Sequence, residues 1–486
     1  MKILFVMSHV GVFRHFDGVV RELCSRGHTV KILRAPVSKP NITDRALLAC
    51  HAEAQGSESD WMLQRADRWR CLLSGTRELL SYANYFRPEQ AASALADRWK
   101  RNLPRPVRIA IKNGLVKKLL TSKMARQSLR RLENIAPPDS AVTRWLESNQ
   151  PSVVIASPFI GAFSQELEYV KAAKALGIPT AVAVASWDNL TTKGTFHIIP
   201  DMTLVWNRAL LEEATELHDV PSEKISVTGA PSFDSWFEMK PSSDRSSFCA
   251  RVGIKPDRPF AVYLCSSKSI AGDETAFAKD LVSNLSHHRD TRYMSILVRP
   301  HPLNASIWNG FSANNVVIWP PGGDVPDSPH GKQDYYDTLF HSTAAVGVNT
   351  SALLEAAIVD KPCVTVMTPQ YRKTQSEMPH FHHLLDANFL EIAHSFSEAA
   401  AILGSVLRGV DSKAANRCHF VRDFIRPWGM ERTASEVMAD CIEGTALQKS
   451  VVQLGSERTP SHTLPSRNPS RSPSPIETQT RVSSDD

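Results

Sequence analysis

The chain has no paired cysteines. Its eight cysteines are scattered, none forms a Cys-x2-Cys pair, and Cys265 and Cys363 lie inside apolar, strand-like runs. They read as buried free thiols in a reducing compartment rather than as a disulfide or zinc framework. Long apolar runs are missing too. Nothing approaches the roughly 20 residues needed to cross a bilayer, and the opening Lys2–Met7 is only strand length, with His9, Arg14 and His15 close behind. That pattern argues against a signal peptide and for a soluble, cytoplasmic protein. Gly-x4-Gly-Lys-Ser/Thr, His-Glu-x2-His, Gly-x-Ser-x-Gly and strand-linked Gly-x-Gly-x2-Gly are all absent, and the chemistries they mark have no support here. An Asp-x-Asp metal motif is missing as well, and His380, His382 and His383 have no Cys or carboxylate partner at metal-binding spacing. These histidines are expected to line a cleft or the surface, and no metal site is expected. A net charge of +6 is mild for 486 residues and does not argue for nucleic acid.

Two stretches lack something locally. Between Arg98 and Leu132 there is no acid at all, against twelve Lys or Arg. Val107, Ile109, Ile111, Leu115, Val116, Leu119 and Leu120 are interleaved with them, which suits either an anionic membrane surface or a solvated helix face with some core contact. From about Ser456 onward large apolar residues nearly vanish among Ser, Pro, Thr and Arg, so 446–486 is expected to be a disordered tail.

What is present is a repeated alternation. Apolar runs at Ile3–Met7, Thr29–Leu33, Ser152–Ala156, Thr180–Ala185, Met202–Trp206 and Ile225–Thr228 are separated by helical patterns such as Gln165–Leu176. A second set follows at Phe260–Cys265, Met294–Val298, Asn315–Ile318, Ala344–Val348 and Cys363–Met367. Short β-rich runs between helices imply an α/β protein with parallel, doubly wound sheets, and the length calls for two domains. The expected division is 1–235, with a helical insertion at about 34–150, then 236–445, with the seam near Gly229-Ala-Pro-Ser-Phe-Asp234.

Phosphate chemistry concentrates at two strand ends. Val346-Gly-Val-Asn-Thr-Ser-Ala-Leu-Leu-Glu355 places Asn349, Thr350 and Ser351 between a strand and a helix, where free N–H groups and the helix dipole face an anion. The same residues serve equally as a plain helix cap. Arg299-Pro-His-Pro302 ends another strand in a cation and an imidazole. Lys268, after Cys265-Ser-Ser, is a further candidate for neutralising phosphate. Together they suggest a pocket for a nucleoside diphosphate.

The opening Met1-Lys-Ile-Leu-Phe-Val-Met-Ser-His-Val-Gly-Val-Phe-Arg-His15, Arg26-Gly-His-Thr-Val30, Ser186-Trp-Asp-Asn-Leu-Thr-Thr-Lys-Gly194, the seam segment and Phe424-Ile-Arg-Pro-Trp-Gly429 resemble segments of GT-B fold glycosyltransferases of surface-polysaccharide type. Nucleotide-sugar 2-epimerases and CDP-glycerol glycerophosphotransferases share that fold. The resemblance covers roughly residues 1–33 and 150–440. It implies two Rossmann-like domains, a last helix crossing back to the first, and transfer of a sugar from a nucleotide-sugar without metal or other cofactor. The implied acceptor is a polysaccharide or a lipid-linked glycan, which would bring the protein to the inner face of the membrane.

The resemblance also assigns roles. Glu355 would hold ribose hydroxyls, though a Glu in a first helical turn is favoured by the dipole anyway. His301 would lie by the donor diphosphate, and His15 is the candidate base for the acceptor. Asp188 is its rival, and Trp187 either stacks on a sugar or plugs the loop. An epimerase would need several carboxylates near the sugar, for which only Asp188, Glu166 and Glu168 stand out. A non-catalytic scaffold of the same fold is the remaining alternative.

Overall fold

The computed structural model describes residues 1–36, 43–87, 93–161 and 164–456. Seven parallel strands form a first sheet: β1 (Lys2–Met7), β2 (Thr29–Arg34), β3 (Ser57–Trp61), β4 (Val153–Ser157), β5 (Thr180–Ala183), β6 (Met202–Val205) and β7 (Ile225–Val227). Their spatial order is β3-β2-β1-β4-β5-β6-β7. Six more form a second parallel sheet: β8 (Phe260–Leu264), β9 (Ser295–Arg299), β10 (Val316–Ile318), β11 (Ala344–Gly347), β12 (Cys363–Val366) and β13 (Leu390–Ala393). Their order is β10-β9-β8-β11-β12-β13. The central strands β4, β8 and β11 are buried along their whole length, as expected where helices cover both faces. These are two doubly wound, Rossmann-like domains.

Two strands escape the sequence pattern. β13 is short and half-buried. β3, Ser-Glu-Ser-Asp-Trp, is almost entirely polar because it closes the sheet edge and pairs only with β2, in the register Val30↔Ser57 through Arg34↔Trp61. The stretch 34–150, expected to be all helical, therefore also completes the first sheet: the helix Arg45–Glu53 leads into β3, and the remaining helices follow from Trp69 onward.

Those helices are fastened by charge. Arg77, on helix Trp69–Asn84, donates to both oxygens of Glu133 on helix Lys123–Ile135, each at 2.8 Å, and to Glu168 on helix Glu166–Ala175 at 2.6 Å. Lys171 reaches Glu133 at 3.0 Å and Arg65 reaches Glu168 at 2.8 Å. All five side chains are buried. Burial alone would raise the Glu133 pKa, but Arg77 and Lys171 hold it down at about 2.

The last helix, Ala434–Ser456, returns to the first domain, where Met438, Ala439 and Ile442 join the core around Val19, Val20 and Leu23. Asp234 fastens its start, accepting from the backbone N–H groups of Ala434 (3.0 Å) and Ser435 (2.8 Å) and from Arg426 (3.0 Å). Gly229 is required at this crossing. Its φ is +85°, and a Cβ there would lie 2.8 Å from the Ala434 side chain. The tail expected from 446 is helical as far as Ser456, and 457–486 lie outside the described residues.

Candidate functional site

In an open parallel sheet, a ligand crevice forms at the strands' carboxyl ends where the winding reverses. Here the reversals fall between β1 and β4 and between β8 and β11. The segment after β1 carries Arg14 and His15 in a short 3-10 turn, Val10–His15. The segment after β8 carries Lys268, and that after β11 carries Asn349, Thr350 and Ser351. The two sets of loops face each other. Trp187, following β5, donates from Nε1 to Ser351 Oγ at 3.0 Å and packs edge-on against His380, with ring centres 4.9 Å apart. Trp187 is buried and plugs the seam between the domains, so the stacking role is not what its position provides.

Glu355 lies on the helix Ala352–Ile358 and faces this cleft, where Tyr335 donates to its carboxylate at 3.2 Å. Burial pushes its pKa up to about 7, against the pull of Tyr335, Arg14, Arg299 and Lys332. Arg14, from the first domain, is surrounded by the cleft walls yet open to water, and it feels both Glu355 and Asp327. Three cations thus converge on one carboxylate from two domains.

The phosphate candidates separate into two groups. Arg299 is turned inward. It donates to Asp334 at 3.1 Å and Thr338 at 3.0 Å and stacks over the Tyr335 ring, so it braces the pocket wall beneath Glu355. Asn349 is likewise engaged, donating from its amide to the Thr374 carbonyl at 2.7 Å and approaching His380 Nε2 at 3.2 Å. Thr350 accepts from the Ala352 N–H at 3.4 Å, a loose cap, and Ser351 accepts from Trp187. Lys268 is exposed on its turn. His301 caps the turn after β9 by accepting the Leu303 N–H at Nδ1, 3.1 Å away. A neutral imidazole used this way carries its proton on Nε2, which is then a donor. Burial and Arg14 keep it neutral, with a pKa of about 4.

The two candidate bases both face positive charge, with different consequences. Burial, then Arg14 and His9, lower the His15 pKa to about 3, although Asp188 opposes them. Burial would raise that of Asp188, but Lys193 at 3.0 Å, His380 and Ser186 hold it at about 2. Asp188 is therefore a permanent anion at neutral pH and a weak proton acceptor.

One carboxylate was missed in the sequence. Glu213, on the helix Arg208–His218, meets His383 of the second domain at 2.6 Å, and burial raises its pKa. Nothing in Leu-Glu-Glu-Ala-Thr-Glu marks it among its acidic neighbours; only docking of the helix Pro379–Asp386 selects it. His380 and His383 line the cleft, while His382 is exposed. Of the epimerase candidates, Glu168 is bound into the buried ion network. Glu166 has no solvent exposure, and burial puts its pKa at about 7.

No protein-family model and no curated protein matches the chain. Solved structures do. A UDP-GlcNAc 2-epimerase from Neisseria meningitidis, determined with UDP-GlcNAc bound, superposes with a TM-score of 0.51 at 12% identity, covering 91% of this chain and 100% of that one. A putative UDP-N-acetylglucosamine 2-epimerase from Listeria monocytogenes gives 0.51 at 9%, covering 94% and 97%. A glycosyltransferase from Rickettsia africae gives 0.50 at 10%, covering 92% and 98%. At such identities the likeness speaks for architecture alone. With two Rossmann-like sheets, facing switch points and a last helix that returns to the first domain, the chain has the GT-B fold found in glycosyltransferases and nucleotide-sugar 2-epimerases.

Proposed function

We propose that the chain is a glycosyltransferase. It takes a nucleotide-sugar on its second domain and transfers the sugar to a polysaccharide or lipid-linked acceptor on the first, without a resident metal or other cofactor. The observation that carries this reading is Glu355, a half-buried carboxylate in the interdomain cleft, on the helix that follows a switch-point strand and faced by Arg14 from the opposite domain. A carboxylate so placed accepts two O–H bonds from a ribose. The diphosphate then lies toward the Asn349–Ser351 turn and Lys268, with the His301 Nε2–H donating to the leaving phosphate. Arg14 and Lys332 add positive charge on the same side. Burial is the main cause that depresses His15 and Arg14 the next; an anionic diphosphate beside Arg14 offsets the second of these and so shifts the imidazole that receives the acceptor proton toward greater basicity. Asp188 steadies the protonated imidazole. Closure of the two domains excludes water and aligns the acceptor with the anomeric carbon.

Isothermal titration against UDP, GDP, CDP and dTDP tests the donor site. One nucleotide binds in the micromolar range, and Glu355→Ala weakens it at least tenfold. Absence of binding by all four overturns the reading.

Glu213 supports a second reading. With Asp188 it adds a second acid to the first-domain side of the cleft, the arrangement a 2-epimerase needs around its sugar. Incubation with nucleotide-sugars separates the cases: transfer product for the transferase, epimerised sugar for the epimerase, released CMP for a glycerophosphotransferase. Silence in all three, with harmless His15 and Asp188 substitutions in cells, leaves a scaffold.

A further inference from the structure

We infer that the outer face of the inserted helices Arg105–Ala110, Gly114–Leu120 and Lys123–Ile135 docks on an anionic lipid bilayer. Helical spacing puts Arg105, Arg108 and Ile109 on one face of the first helix, and Leu115, Lys118 and Leu119 on one face of the second. On the third, Met124, Arg131 and Ile135 share a face. These faces point to solvent: Ile109 is 65% exposed, Leu115 81%, Leu119 69%, Met124 78% and Ile135 80%. The opposite faces hold the helices in place. Val107 and Leu120 pack on the first-domain core, Ile111 is buried, and Glu133 is bound to Arg77 and Lys171. The exposed apolar side chains are thus mounted on an anchored support.

Charge selects the partner. Most of the twelve cations between Arg98 and Leu132 are exposed, while Arg130 turns inward to Asp219 and Lys117 lies over the Phe86 ring. Lys112 and Lys118 have no ion-pair partner among the described residues. The positive charge is local: the whole chain has 56 Lys or Arg against 50 acids, so outside this stretch acids are in excess. Apolar side chains rising between cations match an interface of anionic headgroups over hydrocarbon. A phosphate backbone satisfies the cations but not Leu115 and Leu119. A second copy of the chain satisfies the apolar groups but sets like charges against each other.

The surface is separate from the donor cleft, so membrane binding and nucleotide binding fail independently. Co-sedimentation of the full chain with vesicles of phosphatidylglycerol and phosphatidylcholine, compared with phosphatidylcholine alone, tests it. Binding is at least tenfold stronger to the anionic vesicles. It weakens from 0.1 to 1 M salt, as the Debye length falls from about 10 to about 3 Å. Leu115→Ser with Leu119→Ser, and separately Lys112→Glu with Lys118→Glu, each reduce it at least tenfold without lowering the melting temperature. Equal binding to neutral vesicles, indifference to salt, unchanged binding by both variants, or a vesicle-free dimer that Leu115→Ser with Leu119→Ser dissociates would overturn the proposal.

Discussion

At the scale of the residue, the cleft is notable for how far it holds its ionisable groups from their ordinary values. Glu355 is raised to about 7, while His15 and Asp188 are lowered to about 3 and about 2. The two lowered groups respond differently to a bound diphosphate. In the proposed complex an anion beside Arg14 offsets that cation's share of the His15 shift and leaves the larger share from burial, whereas Asp188 keeps Lys193 at 3.0 Å and stays ionised. His15→Ala is therefore expected to cut kcat by roughly 10² or more with donor affinity intact. Under the proposed roles, His301→Ala is expected to lower kcat by a similar factor through loss of a donor to the leaving phosphate. Steady-state kinetics with titration of the donor separates the two quantities. Full turnover by His15→Ala would pass the proton-accepting role to Asp188. Gly194 is constrained in another way: at φ +128° a Cβ would fall 2.1 Å from the Ile160 carbonyl oxygen, so the loop that carries Lys193 tolerates no side chain there.

At the scale of the element, the inserted helices depend on charge as well as on apolar packing. Arg77 is the hub between Glu133 and Glu168, and removing it strands two buried carboxylates that retain only Lys171 and Arg65. Breaking a buried ion network on one side costs about 3–5 kcal/mol. Arg77→Ala should lower stability by that amount in urea unfolding followed by tryptophan fluorescence; a change under about 1 kcal/mol would mean the helices are held by packing alone. The membrane face depends on this same support. Its exposed side chains contribute little to folding, so substitutions at Leu115 and Leu119 leave stability unchanged while Arg77→Ala does not.

At the scale of the molecule, buried titratable groups give stability a definite dependence on pH. His15, His197 and His218 have pKa values of about 3, and His301 and His380 of about 4, all through burial. Unfolding returns each to about 6.5, so the unfolded chain binds more protons below that pH and stability falls as pH drops. Burial raises Glu166, Glu274 and Glu355 to about 7. Their stabilising contribution is present below about 4.5 and is lost as pH rises through 7. The imidazoles outnumber the carboxylates, so stability should climb with pH to a maximum near 6–7 and then decline slightly. Melting temperatures measured from pH 4 to 9 check this. A monotonic rise to pH 9 would mean that the three carboxylates are ionised in the folded state.

The alternation of apolar runs and amphipathic helices was legible because it is local. A buried parallel strand must be apolar throughout, and runs such as Val153–Ser157 and Phe260–Leu264 declare themselves. That Asn349, Thr350, Ser351 and His301 lie just past strand ends was readable for the same reason, since chain order alone places them beyond a carboxyl end. The edge strand Ser57–Trp61 was not, because an edge needs only one partner and leaves its side chains in water. Nor could the sequence tell Arg299, turned inward to Asp334, from Arg14, turned into the cleft: one ends a strand and the other lies in the turn after one, and only packing decides which way each points. Glu213 and His383 lie 170 residues apart in sequence and become partners when two domains meet. Sequence determined all but the two edge-side strands Ser57–Trp61 and Leu390–Ala393 of the sheets, and the order of the rest, because those follow from short-range patterning and burial. The tertiary structure decided which charges are compensated and which face the cleft, because that depends on distances between groups far apart in the chain.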